Sequence, residues 1–433
     1  MSYEFSNHKR VYVAIESTFG AQVDFSSLTA GASNYKSLVP VMEGTLEFTA
    51  AQDVLDPMPL QTHKFDRYRK TLGKRSGTLK FSIPFYSTAT AANNGQAQVP
   101  STTSTSGGFA LGVILKSVMG GEDNVTGTNW GGGGSASAPT TSANTFQPMN
   151  AVCYQNASSA YEWRVVDTSA TSPYNMKLAY SATPTGTAWA ANTYYLTQDS
   201  GTNDSTSLQF LVQGAEADDA FQFLGCQLTN MSFETGLGTL PKITFEFSCA
   251  TWVQDSEITA APPSFSGGFG LTTFSPIADV AGEMLQWTNG TTTYTASTGS
   301  TEGSQVHVAK ESFTCSLGFT PVTSPSGVQT IQQYVRRKAD GGPIMTGTFD
   351  APYHSTFWKD FKSNRTALGL QRTFGGTPGS TLILCMPTVQ IVDVQPVDAS
   401  GLRYQTVTWE ARNDTDTGGT TDQEVSAFSI HLG

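Results

Sequence analysis

The chain has 433 residues, long enough for two core-bearing domains, yet only 14% of them are charged. That low charge, together with abundant Gly, Ser and Thr, argues against a charge-driven disordered chain and fits a β-rich protein with neutral polar surfaces. The formal net charge of −11 argues against a nucleic-acid binder, because phosphate recognition needs clustered Lys and Arg.

In chain order, residues 9–15 alternate as a strand and lead into Glu16-Ser17-Thr18-Phe19-Gly20. Residues 21–40 read as an arm with little periodicity. Strands are expected near 42–50 and 76–85, then a short buried helix at 107–119 stopped by Gly120-Gly121. The glycine-rich run at 131–145 reads as a loop or linker. Residues 161–166 and 207–212 look like strands of a small β insertion, and two closing strands follow at 221–234 and 240–252. A Pro/Gly/Ser/Thr-rich connection at 256–304 leads to a helix candidate at 353–364, where Phe357, Trp358 and Phe361 share a face. In the closing strand, Ile243, Phe245 and Phe247 alternate with Thr244, Glu246 and Ser248, the pattern of a sheet with one wet face.

Motif order repeats. Leu46-Glu47-Phe48-Thr49-Ala50 is echoed by Glu311-Ser312-Phe313-Thr314-Cys315. The basic run Phe65-Asp66-Arg67-Tyr68-Arg69-Lys70 is echoed by Gln333-Tyr334-Val335-Arg336-Arg337-Lys338. Gly77-Thr78-Leu79 through Pro84-Phe85 is echoed by Gly347-Thr348-Phe349 through Pro352-Tyr353, and Thr244-Phe245-Glu246 by Thr408-Trp409-Glu410. The expected organisation is therefore an N-terminal strand and arm (1–40), a first module (41–119 and 216–255), an inserted β subdomain (120–215), a linker (256–304) and a second module (305–433). A β module written twice suits a ring builder, since similar modules can occupy equivalent places around an axis.

Enzyme chemistry finds little footing. None of His8, His63, His307, His354 and His431 lies beside a Gly-x-Ser-x-Gly turn. Glu246 and Glu410 could be paired carboxylates, but solvated strand residues explain them as well. Gly131–Gly134 and Gly341-Gly342 lack the Lys-Ser/Thr of a phosphate loop. The five cysteines (153, 226, 249, 315, 385) have no zinc or redox spacing and read as free buried thiols. The N-terminus lacks the apolar core of a signal peptide, so folding in a cytoplasm is expected, and no apolar run reaches membrane-spanning length.

The run from Lys9 to Gly20 resembles the opening strand of the phage tail tube (major tail) protein family, with its Glu-x-x-aromatic-Gly turn. Phe223-Leu224-Gly225-Cys226-Gln227-Leu228 looks like that family's Gly-Cys strand, and Thr381 to Pro387 like its apolar strand ending in Met-Pro. The resemblance covers most of the chain in motif order, outside about 120–215. It implies a mainly β fold of two tandem β-sandwich or half-barrel modules, each with a short flanking helix, plus a small β insertion. The implied function is structural and non-enzymatic, without cofactor or metal. Three duplicated chains would form a ring, pseudo-sixfold inside, that stacks into a hollow tube conducting double-stranded DNA. The implied partners are further copies of the chain, other tail proteins (tape measure, tail terminator, distal tail) and the passing DNA. The implied place is the virion tail, assembled in the bacterial cytoplasm.

Within that frame the basic segments carry the strongest charge signal. A nucleic-acid patch and a solvated loop both fit Lys64, Arg67, Arg69 and Lys70; Arg336, Arg337 and Lys338 at the matching place favour contacts between subunits or rings, with Asp218 and Asp219 as acidic counterparts. Glu234, Glu246, Asp393 and Glu410 on polar strand faces are candidates for a negative lumen that repels phosphate. The competing function is a β-sandwich adhesin or carbohydrate-binding protein, hinted at by Tyr154, Tyr161 and Trp163 in the insertion.

Overall fold

The computed structural model describes residues 9–25, 36–55, 71–87, 110–123, 128–141, 146–167, 171–197, 207–214, 219–236, 240–258, 275–277, 283–288, 305–317, 319–323, 331–336, 345–353, 357–365, 367–399, 401–412, 423 and 426–433. These residues are 64% strand and 8% helical, and the large sheet curves as a half-barrel, so the fold is mainly β as the two-residue period implies.

The first strands are β1 (Arg10–Ile15), β2 (Lys36–Val39), β3 (Glu47–Leu55), β4 (Thr71–Pro84) and β5 (Tyr86–Ser87). Helix α1 (Ala110–Met119) is almost wholly buried and stops at Gly120, whose φ of 87° suits glycine; β6 (Gly120–Asp123) follows at once. A separate small sheet then forms from β7 (Thr128–Gly134), β8 (Pro139–Thr141), β9 (Ala151–Gln155), β10 (Tyr161–Val165) and β11 (Gly186–Ala190), ordered β10-β9-β11-β7-β8. The expected loop at 131–145 is thus partly wrong. Its glycines run out β7 into a hairpin with β8, and at Gly134 (φ 90°) a Cβ would meet the Ala138 carbonyl at 2.4 Å.

The large sheet resumes with β12 (Asn192–Leu196), β13 (Leu208–Gln213), β14 (Ala220–Gly236) and β15 (Lys242–Gln254). Then come β16 (Ser275–Pro276), β17 (Glu283–Thr288), β18 (Gln305–His307), β19 (Lys310–Ser316), β20 (Phe319–Thr323), β21 (Ile331–Arg336) and β22 (Met345–Pro352). Helix α2 (Phe357–Asn364) precedes β23 (Leu368–Thr377), β24 (Ser380–Ala399), β25 (Leu402–Ala411) and β26 (Ser429–Leu432).

The pairings reveal the same seven-stranded unit twice. In the first half β2–β1–β13–β14–β15–β4–β3 pair in that order, all antiparallel. In the second, β18–β17–β23–β24–β25–β22–β19 do the same. Even the irregularities match. A bulge interrupts β14 between Leu228 and Asn230 opposite Phe247, and another interrupts β24 between Ile391 and Asp393 opposite Trp409. A second bulge falls in β14 between Phe223 and Cys226, opposite Leu208–Phe210 of β13, and in β24 between Met386 and Val389, opposite Leu368–Leu370 of β23. Register then equates Phe48 with Phe313, Pro84 with Pro352 and Phe247 with Trp409.

This corrects two expected boundaries. The second unit begins at β17, inside the segment read as a linker at 256–304, and β13 belongs to the first unit although it lies in the expected insertion at 120–215. What is truly additional is the small sheet and its flanks. That sheet does not stand apart: Trp163 is buried and its indole N–H donates to the Gly376 carbonyl at 2.7 Å. Gln371 donates to the Trp163 carbonyl at 3.1 Å, and Met149, Val165 and Leu178 pack on Cys385. An element inserted in one unit therefore clamps the other. The C-terminal β26 adds to the clamp by pairing with both β12 and β24.

Local chemistry explains the opening motif. The buried Glu16 carboxylate accepts the N–H groups of Gly20 at 2.9 Å and Gly225 at 2.7 Å, and the Ser207 hydroxyl. Burial pushes its pKa up, and those hydrogen bonds oppose the rise. Phe19 lies over Gly225, which has φ 60° and no room for a Cβ. The expectation of five free thiols is also corrected. Cys226 and Cys249 face each other on β14 and β15 and are joined as a disulfide, while Cys153, Cys315 and Cys385 are free and buried. In the second unit Val389 and Ala411 hold the places of that pair.

Candidate assembly edges and polar sheet face

Two four-stranded blocks meet edge to edge. The second half of β14 pairs with β19, from Asn230 opposite Ser316 to Gly236 opposite Lys310, so that β3–β4–β15–β14–β19–β22–β25–β24 runs as one eight-stranded sheet. Across the joint, Phe233 and Phe313 stack with ring centroids 4.9 Å apart. Beneath it lies an ion pair, Arg372 Nε to Glu311 Oε1 at 2.6 Å, with both side chains 1% exposed. The Thr235 hydroxyl donates to the same carboxylate oxygen at 2.8 Å.

One face of this sheet is core and the other polar. The polar face is largely Thr and Ser: Ser82 with Thr244, Ser232 with Thr314, Thr314 with Thr346, Ser312 with Thr348, Thr348 with Thr408. Carboxylates outnumber lysines on it. Glu47, Glu234, Glu246, Asp350, Asp393 and Glu410 share the face with Lys80, Lys242 and Lys310, and Arg412 and Lys362 reach it through Glu410 and Asp393.

All four acidic candidates lie on this face, and each has a cationic neighbour. Glu234 meets Lys242 at 2.8 Å, Glu246 meets Lys80 at 2.8 Å, and Glu410 meets Arg412 at 3.1 Å. Asp393 meets Lys362 of α2, whose hydrogen bond, joined by those from Gln395 and the Val394 backbone, pulls its pKa down to about 2. The face is mildly acidic rather than a bare wall of carboxylates. Glu246 and Glu410 are not equivalents: register places Thr408 opposite the second bulge as Glu246 is opposite the first, and Glu410 corresponds to Ser248. Four strand steps separate β15 from β25, roughly 19 Å at ~4.8 Å each, beyond the ~5–9.5 Å at which a carboxylate pair cleaves a glycoside.

The basic candidates Lys64, Arg67, Arg69, Lys70, Arg337 and Lys338, with Asp218, lie outside the described residues. Arg336 ends β21, in the β20–β21 hairpin between β19 and β22. Asp219 sits in the β13–β14 turn, its carbonyl accepting the Gly214 N–H at 2.6 Å. Arg75, at the end of the first basic segment, is engaged within the chain by Glu257 (2.9 Å) and by stacking on Trp252 (4.5 Å). Of the histidines, His431 is fully buried, bonded through Nδ1 to Thr193 and through Nε2 to Ser429, both at 2.9 Å, and burial drives its pKa down to about 3. Tyr154 and Trp163 are core residues of the insertion rather than a binding platform; half-buried Tyr161 meets Trp189 edge to face.

The features that sequence reasoning missed are the two outer edges of the sheet. Among the described residues β3 has no strand on its outer side, and neither has the Asp393–Ala399 stretch of β24 on its β23 side. Five of the six large exposed apolar side chains among the described residues lie there: Val54 and Leu72 on the β3–β4 hairpin, Val392, Val397 and Leu402 on β24–β25; the sixth, Leu240, is in the β14–β15 turn.

The chain matches no protein-family model and no curated protein. Among the described residues no helix is long and apolar enough to cross a membrane, and no cluster of His, Cys, Asp and Glu could hold a metal ion.

Proposed function

We propose that the protein is structural and builds rings that stack into a hollow tube of the phage tail type, through which double-stranded DNA passes. One observation carries the reading: two registered copies of one β unit are joined edge to edge, and among the described residues neither β3 nor the Asp393–Ala399 stretch of β24 has a strand on its outer side. A sheet extended by the same operation continues from copy to copy, and it closes into a ring where the rotation per unit divides a full turn.

Sheet dimensions favour three chains. Three eight-stranded sheets give ~24 strands, a circumference of about 115 Å and a backbone diameter of about 37 Å before tilt widens it. Side chains of ~5 Å on each wall leave roughly 27 Å, wide enough for a DNA duplex, whereas two chains would leave roughly 14 Å. The polar face supports its use as the lining. Hydroxyl groups offer phosphate no fixed counter-charge, and Lys80, Lys242, Lys362 and Arg412 are held by the carboxylates of the face rather than free to trap phosphate. On this reading the partners are further copies of the chain, the other tail proteins that cap and fill a tube, and the DNA in transit.

Mass photometry and negative-stain microscopy of the purified protein test it. The expected result is particles of three chain masses with a central channel, or tubes built from them. Monomers alone at micromolar concentration would refute it.

A further inference from the structure

We infer that the ring closes through a defined antiparallel joint in which β24 of one copy pairs with β3 of the next, Pro396 facing Phe48. This rests on the ring reading above and specifies its contact. Residues 230–236 of β14 correspond to 393–399 of β24, and residues 310–316 of β19 correspond to 45–51 of β3. Carrying the β14–β19 register across that correspondence puts Asp393 opposite Ala51, Val394 opposite Ala50, Gln395 opposite Thr49 and Val397 opposite Glu47.

Burial points the same way. Phe313 and Cys315 on β19 are 3% and 0% exposed because β14 covers them, whereas their counterparts Phe48 and Ala50 on β3 are only partly buried. Phe233 is fully buried at the internal joint, and its counterpart Pro396 is exposed. A second copy docked in the internal register would bury both, giving a proline against an aromatic ring where the internal joint has two stacked phenylalanines.

Paired cysteines test the register. Thr49 and Gln395 are exposed in the single chain, so Thr49→Cys with Gln395→Cys leaves the core untouched. The native free thiols Cys153, Cys315 and Cys385 are buried, and burial raises the pKa of Cys153 and pushes that of Cys385 up to about 12, so they compete little. Under mild oxidation the pair should yield disulfide-linked dimers and closed trimers. The control pair Ala51→Cys with Val397→Cys, four residues out of register, should yield at least about tenfold less, since strand partners beyond ~7 Å cannot be bridged. Cross-linking by the control instead, or equally by both pairs, overturns the register. Particles of three chain masses without cross-links from Thr49→Cys/Gln395→Cys overturn the joint while leaving the ring intact. A protein that stays monomeric overturns the ring reading itself, and the joint with it.

Discussion

The buried ion pair beneath the internal joint should be dispensable as a pair and costly to break singly. Arg372 and Glu311 are each 1% exposed, 2.6 Å apart, with the guanidinium stacked 4.4 Å over Phe374 and the carboxylate held by Thr235. In the first unit the same places are held by Val212 and Leu46. The fold therefore already contains an apolar solution to this site. Arg372→Met alone strands a carboxylate in the core and should cost about 3–5 kcal/mol, as should Glu311→Leu alone, a large share of the ~5–15 kcal/mol that holds a domain together. The double variant removes both charges and should lie within about 1–2 kcal/mol of the parent, so the coupling exceeds ~3 kcal/mol. Urea titration followed by tryptophan fluorescence reads this, with Trp358 and Trp409 buried in the second unit. A single variant costing under ~1 kcal/mol, or a double variant as unstable as the sum of the singles, would refute the reasoning.

His431 gives a pH signature. Its folded pKa lies below its unfolded value, so its contribution is fully present above about pH 6.5 and is lost as pH falls toward about 3. Parent and His431→Gln stabilities, measured between pH 7 and 4, should diverge in slope by up to ~1.4 kcal/mol per pH unit; parallel curves would contradict it. Gly225→Ala should destabilise by about 2 kcal/mol or more in thermal unfolding, because φ is 60° and the new Cβ would meet Phe19 at 2.8 Å and Ala250 at 2.9 Å. Trp163→Ala should cost roughly 3–5 kcal/mol and make the small sheet the first site of limited proteolysis, since its indole is the main anchor on the second unit; unchanged cleavage order would argue against the clamp.

The sequence makes the duplication legible but misplaces it, and the reason lies in strand periodicity. A strand repeats every two residues, so an alignment of Thr-aromatic-Glu in one closing strand with the same triplet in the other can slip by two and still keep every side chain on its proper face. That is what happens between Glu246 and Glu410. Pro84 and Pro352 resist the slip because proline is restricted to particular places in a ladder, and they agree with the register that the bulges set independently. The bulges leave no composition mark in Thr229 or Val392, so only pairing reveals them. Strand β17 is hidden for another reason: its six residues lie in a Gly/Ser/Thr-rich stretch and form a strand because β23 offers them an edge. Phe48 shows the same dependence: it packs on Phe221 and Phe223 yet stays only partly covered, and the proposed joint with a second copy is what would complete its burial.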